Sequence, residues 1–330
     1  MNESFTVYIE ELDKVVKFVD RVRELHQLDE IVSRGTAFPV AIYGPEGCGK
    51  TALLKYVARS LAKRSDTIVI YIDALEQFEL EKALLSSHRE VLEVVRDVSS
   101  VPIGSALARL CMSLVTRLAS RISLKGKNVV LLIDDVYRAI GLENVDRYTK
   151  SLYEWIGYLH EKFEVSNVAI ILTTSEGVSK RELSKHTYVD LRMLWNLSRE
   201  GFEELVQQLD QLRNVDVEEL WILTGGNPRA LIDIARRGWN VERWMEYLYE
   251  GKIRRAMHLV GREKLRSLAE DPDSDWVTAE RLEEMGLMIE LRRASAVGTV
   301  PDPCTELGVG RDWAWQLPAY RYVVLRRIGE

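Results

Sequence analysis

GPEGCGKT, residues 44–51, is the stretch on which the reading of this 330-residue chain turns. Gly44, Gly49, Lys50 and Thr51 satisfy G-x-x-x-x-G-K-[ST] without a mismatch. Glycine tolerates positive φ and close backbone approach, so successive N–H groups can turn inward on an anion. The apolar run FPVAIY (38–43) ahead of the loop reads as a strand. TALLKYVARSLAKR (51–64) behind it has apolar residues at i, i+3 and i+4 and reads as a helix. A helix start adds unsatisfied N–H groups and a favourable dipole. In that context the loop is a phosphate cradle: Lys50 reaches the β- and γ-phosphates and the Thr51 hydroxyl serves Mg²⁺. Pro45, Glu46, Gly47, Cys48 and Ala52 complete the nucleotide-binding stretch. Glu46 and Cys48 act there as backbone carriers, and the sequence shows no partner that would make the Cys48 thiol reactive.

Working outward, TIVIYIDA (67–74), NVVLLIDD (128–135), NVAIILTTS (167–175) and HTYVDLR (186–192) read as further strands. Their near-continuous Val/Ile/Leu character indicates burial on both faces. Strands separated by helices indicate a parallel sheet with right-handed crossovers. Helices are expected at 10–34, 79–98, 105–122 and 148–163. Residues 198–250 read as helical with one break at GGNP (225–228), and 252–270 as one more helix. The tail offers a short helix (278–285), the strand-like GLMIELR (286–292) and WAWQLP (313–318). The expected domains are 1–196, 197–250 and 251–330.

Asp134 and Asp135 end the third strand. Beside a phosphate loop, a carboxylate there holds Mg²⁺, which assigns Asp134 to the metal with Thr51. Asp135 follows as the base that polarises the attacking water, although Asp is one methylene shorter than the Glu usual in that role. Thr174, flanked by Thr173 and Ser175, ends the fourth strand and can hydrogen-bond the γ-phosphate or the water.

Composition narrows the function classes. A net charge of −6 argues against binding nucleic acid by bulk electrostatics. No apolar run reaches the ~18 residues of a membrane span, and the first residues lack a signal-peptide core. Three scattered cysteines, Cys48, Cys111 and Cys304, fit reduced thiols and no metal spacing. A cytoplasmic location is expected. Only 14 residues are Asn or Gln, which points weakly to a heat-adapted source.

Together the pieces resemble the archaeal ATPase family of the STAND branch of P-loop NTPases, related to AAA+ origin initiators. FVDRVRELHQL (18–28) is similar to the family's leading F-x-x-R-x-x-E-L box. VVLLIDDV (129–136) is similar to its metal strand, and LTGGNPRAL (223–231) to the G-x-P motif of its helical lid. WAWQLPAYRYVV (313–324) is similar to the end of its C-terminal winged-helix domain. The resemblance implies an ASCE/AAA+-like α/β fold with a parallel five-stranded sheet core, an α-helical lid and a winged-helix domain. It implies ATP or ADP with Mg²⁺, with Arg21 and Glu24 near adenine, Pro228 on the adenine ring and Arg229 sensing the γ-phosphate. It also implies a monomer in the ADP state and an oligomer with ATP, for which Arg181 and Arg192 are candidate fingers. LWNLS (194–198) departs from the family, which tends to have proline before Leu-Ser.

DNA is an alternative partner to an unknown protein. Residues 251–330 carry 13 basic and 13 acidic residues, and the candidate recognition helix presents Glu280, Glu283 and Glu284 against Arg281. Such a face repels phosphates. Arg254, Arg255, Arg262, Lys264 and Arg266, expected on one helix, form the counter-patch with Arg292 and Arg293. Trp276, Trp313 and Trp315 are read as packing residues. Three functions stay open: a slow ATP-hydrolysing switch, a DNA-remodelling ATPase active as an oligomer, and a scaffold that holds ADP.

Overall fold

The computed structural model describes residues 5–74, 84–86, 116, 119–120, 122–174, 177–210 and 215–329. Chain contacts divide it into two compact units. The first comprises Met1–Arg21, Gly44–Gly49 and Met193–Glu330; the second comprises Val22–Tyr43 and Lys50–Arg192.

The helix expected from residue 10 does not form until Val22. Strands β1 (Thr6–Ile9) and β2 (Lys14–Lys17) instead make an antiparallel hairpin in the first unit, from Thr6↔Lys17 to Ile9↔Lys14. The β-branched residues Val7, Ile9, Val15 and Val16 favour extended backbone. Asp13, left-handed at φ 48°, closes the turn. Ile9 and Val16 enter the unit's core while Tyr8 and Val15 face solvent, the alternation of a half-buried hairpin.

The second unit is the α/β body. In chain order it contains α1 (Val22–Arg34), β3 (Val40–Tyr43), α2 (Lys50–Leu61), β4 (Thr67–Asp73), β5 (Leu84–Ser86), β6 (Asn128–Asp134), α3 (Val136–Ile140), α4 (Val145–Phe163), β7 (Asn167–Thr173) and α5 (Gly177–Ser184). β8 (Asp190–Leu194) begins there. The sheet order is β8-β3-β7-β6-β4-β5. β3, β7, β6 and β4 pair in parallel, and their interior residues are buried, as the unbroken apolar runs require. β5 adds an antiparallel edge, Ile70↔Ser86 to Ile72↔Leu84. That strand lies inside the stretch expected as helix 79–98; β5 apart, 75–115 lies outside the described residues. So does Ser175.

The first unit takes up the chain again at Met193. It contains α6 (Arg199–Leu209), α7 (Val217–Thr224), α8 (Pro228–Arg236) and α9 (Val241–Leu248), then a π-helical turn at Tyr249–Ile253. α10 (Arg254–Val260), α11 (Arg262–Glu270), α12 (Trp276–Glu284), β9 (Met288–Glu290), β10 (Ala296–Val297), β11 (Trp313–Trp315) and α13 (Pro318–Gly329) complete it. β11 pairs antiparallel with β9, and β10 pairs in parallel with Met193 and Leu194 at the end of β8. One apolar core, with Phe202, Trp244, Trp313 and Trp315 among its largest members, joins these helices to the N-terminal hairpin.

Three expectations for the tail are corrected. The helix 252–270 is broken by Gly261 at φ 95°, so the basic residues fall on two helices. Arg254 and Arg266 each pair with a glutamate four residues away, and Lys264 with Asp275. Glu283 is 5% exposed and accepts the Glu290 N–H, so it is no part of the acidic face of α12. Trp313 and Trp315 are core residues as read, but Trp276 is 52% exposed, edge-on to Trp313. Among the described residues no helix is long and apolar enough to cross a membrane.

Candidate functional site

The phosphate loop leaves fully buried β3 and enters α2 at Lys50. The first unit contains its Gly44–Gly49 segment, and the local packing explains the glycines. A Cβ on Gly44 would lie 2.0 Å from the Leu194 carbonyl oxygen. Gly47, at φ +81°, would place one 2.2 Å from the Arg229 Cβ. Neither position accepts a side chain.

The loop's carbonyls are engaged one after another. Asn227 Nδ2 donates to the Glu46 oxygen at 2.9 Å, and the Arg229 backbone N–H to the Gly47 oxygen at 3.3 Å. Arg21 Nη2 donates to the Cys48 oxygen at 2.6 Å and the Trp195 oxygen at 2.9 Å, and Nη1 to the Asn196 oxygen at 3.4 Å. Arg21 is 2% exposed and left-handed at φ 71°. Its guanidinium therefore ties the loop to the segment after β8. Cys48 is buried, with Sγ 3.8 Å from the Leu194 oxygen.

The GGNPRAL segment supplies a second set of ties. Pro228 opens α8 at a position where a missing N–H costs nothing, and Asn227 caps it by accepting from Ala230 N at 3.0 Å. The Asn227 amide also donates to Asn196 Oδ1 at 2.9 Å. The sequence marks Gly226-Asn227-Pro228 as the stop of one helix and the start of the next, but Asn227 is not among the expected site residues. The Arg229 side chain is 61% exposed, 3.9 Å from the Glu11 carboxylate.

In the second unit, Lys50 is 7% exposed at the start of α2, with Thr51 and Ala52 half-buried behind it. Asp134, 2% exposed, ends β6 in register with Asp73 of β4. Asp73 lies 3.9 Å from Lys55 Nζ, and α2 packs on β4 and β6. Asp134 Oδ2 accepts from the Tyr71 hydroxyl at 3.1 Å, and Oδ1 from Thr173 Oγ1. Burial first, and the Asp134 charge second, push the Tyr71 phenol well above its ordinary value. Tyr71 therefore stays a donor to Asp134.

Asp135 follows in the left-handed region at φ 47°, its N–H donating to Thr173 Oγ1 at 2.9 Å. The hydroxyl that contacts the acidic pair thus belongs to Thr173, while Thr174 is buried with its N–H on the Ile42 oxygen at 2.9 Å. Glu24 is buried on α1. Arg192 is paired with Asp190 at 2.8 Å, and Arg181 is half-buried on α5. A hydroxyl and a carboxylate held by two donors are hard oxygen ligands of the kind Mg²⁺ takes while keeping most of its water, so Thr51 and Asp134 fit that ion.

A family described as an ATPase domain predominantly from Archaea matches residues 18–234. An uncharacterized ATP-binding protein of Methanocaldococcus jannaschii is 23% identical over 145 residues, 42% of this chain and 38% of that protein. An uncharacterized ATP-binding protein of Pyrococcus abyssi is 25% identical over 183 residues, 48% of this chain and 54% of that protein. The matches thus span well under two thirds of these curated relatives. Among solved structures, the Aeropyrum pernix ORC2 protein, in ADPNP and ADP complexes, is similar at TM-score 0.44 and 13% identity, over 99% of this chain and 100% of that one. Cdc6p from Pyrobaculum aerophilum is similar at TM-score 0.41 and 15% identity, over 86% and 78% of the two chains.

Proposed function

Because the chain belongs to the family of ATPase domains found predominantly in Archaea, we propose that it is a slow, Mg²⁺-dependent ATP-hydrolysing switch. The observation that carries this reading is the grip of Asn227 and Arg229 on the phosphate-loop carbonyls of Glu46 and Gly47. A loop tied in this way to the cap and first turn of α8 transmits its ligand state to the helices after residue 197. A switch needs such a differential contact between its states.

On this reading the N–H groups of the loop and of the α2 start take the phosphates. Lys50 would neutralise the β–γ bridge, and Thr51 and Asp134 would hold Mg²⁺. The bound ion supplies charge neutralisation at the phosphate oxygens. Asp135 accepts a proton from the water whose oxygen bonds to the γ-phosphorus as the bond to the β-bridging oxygen breaks, releasing ADP and phosphate. Thr173 holds the acidic pair, donating to Asp134 and accepting from the Asp135 N–H. The shorter Asp135, in a left-handed conformation, suits slow turnover. Helices 197–250 form the lid and 251–330 a winged-helix-like domain that nucleotide state repositions, with a protein as the expected partner.

Steady-state ATP hydrolysis with and without double-stranded DNA, beside Lys50→Ala and Asp134→Asn, tests this. Turnover lost in both variants and indifferent to DNA supports the switch. Several-fold stimulation by DNA would move the assignment to remodelling. Turnover equal to the Lys50→Ala background would leave a nucleotide-holding scaffold.

A further inference from the structure

Glu46 is held at three points, and two of the residues that hold it lie beyond residue 234, where the family match ends. Its N–H donates to Gln316 Oε1 at 3.0 Å. Its carbonyl accepts from Asn227, and its carboxylate lies 3.3 Å from Lys252 Nζ. The peptide planes on both sides of the Glu46 Cα are thereby fixed, which sets φ and ψ at that residue and the direction in which the next N–H groups leave it.

Gln316 is built to act as an acceptor. It is 6% exposed, directly after β11. Its own N–H donates to the Leu287 oxygen at 2.9 Å, and its Nε2 donates to the Met288 oxygen at 3.1 Å. With Nε2 committed to a carbonyl, a flipped amide would put two donors face to face at Glu46, so Oε1 must be the atom presented there. Lys252 sits in the π-helical turn Tyr249–Ile253, an irregularity frequent at functional sites. Its Nζ also reaches the Gly286 oxygen at 3.3 Å and lies 5.6 Å from the Tyr320 ring centre. Burial opposes its charge, but Tyr320 and Glu46 more than offset this and hold its pKa up.

We propose that Gln316 and Lys252 are positioning residues for the phosphate loop: through Glu46 they hold it in its anion-binding shape before nucleotide arrives. This rests on the nucleotide-binding reading above. A glycine-rich loop loses much conformational freedom when it closes on a ligand, and pre-ordering it removes that loss from the binding step. The anchors come from the C-terminal part of the chain, so the state of that part sets the affinity of the loop.

The test is calorimetric titration of ADP with Mg²⁺ into the full-length, nucleotide-free chain, together with ATP kinetics and hydrogen exchange of the loop. Gln316→Leu keeps the volume and removes the acceptor. It should weaken ADP binding about tenfold, the size of fixing one residue's backbone. KM should rise with kcat at saturation unchanged, and exchange across 44–49 should speed up, neither of which a merely structural role would produce. Lys252→Met and Glu46→Gln should each weaken binding about threefold. The double variant should be no worse than either, because both remove one interaction. The Glu46 side chain is 68% exposed, so that cycle decides the matter even if Gln316→Leu fails to fold. ADP affinity within twofold of wild type in Gln316→Leu, or additive effects in the cycle, overturns the positioning role alone. A wild-type chain that binds no ADP overturns the nucleotide reading and this inference with it.

Discussion

Replacing Asn227 separates three tasks performed by one buried side chain. It is 1% exposed, accepts the Ala230 N–H, and donates from Nδ2 to the Glu46 oxygen and to Asn196 Oδ1. Asn227→Ser keeps the cap and loses both donated bonds, at about 1 kcal/mol each. Asn227→Ala loses the cap as well, a further ~1 kcal/mol, for about 3 kcal/mol in all. Asn196 is itself 5% exposed, so its stranded Oδ1 adds about 1 kcal/mol or more to every variant. Asn227→Asp is the decisive one. It keeps the best capping group but points a carboxylate at two oxygens now 2.9 Å away, and should fall at or below Asn227→Ala. Urea unfolding of the nucleotide-free chain, followed by tryptophan fluorescence, gives the order of midpoints without assuming a two-state transition. An Asp variant as stable as the Ser variant would refute the reasoning, since the Asn227 amide could not then be a donor to the loop.

Gly47→Ala should destabilise more than Gly126→Ala. Both glycines have positive φ, but a Cβ at 126 meets nothing within 4 Å whereas one at 47 meets the Arg229 Cβ at 2.2 Å. The thermal midpoints differ by the steric part alone, and equal shifts would mean that Arg229 does not approach the loop. Tyr71 and Tyr137 carry phenols raised above 10.0, mainly by burial. The folded state keeps protons that the unfolded chain releases, so their contribution is fully present below about pH 10 and is lost as pH rises beyond it. Melting at increasing pH should show this alkaline loss, reduced in Tyr71→Phe.

The parallel strands were legible because a strand buried on both faces must be apolar throughout, and VVLLI or VAIIL permits little else. The hairpin at 6–17 was not, because EELDK between β-branched residues has the charge spacing of a helix. Only the packing of Ile9 and Val16 into the distant core selects the strand pattern. The choice between Thr173 and Thr174 follows from strand parity. Neighbouring side chains in a strand face opposite ways, and which of them meets Asp134 depends on the register of β6 and β7. Sequence carries no mark of that register. Nor does Gln316 stand out: a single glutamine after two tryptophans becomes an acceptor for the phosphate loop only once β9 and β11 have fixed its other amide atom.

The bond between Glu46 and Gln316 joins residues 270 positions apart. A chain emerging from the ribosome at about 5–20 residues per second completes its glycine loop roughly 14 to 54 seconds before it makes the residue that anchors that loop. During that interval the nascent chain displays GPEGCGKT without its last support. On the positioning role proposed for Gln316, a chain in that interval should hold nucleotide about tenfold more weakly than the finished molecule.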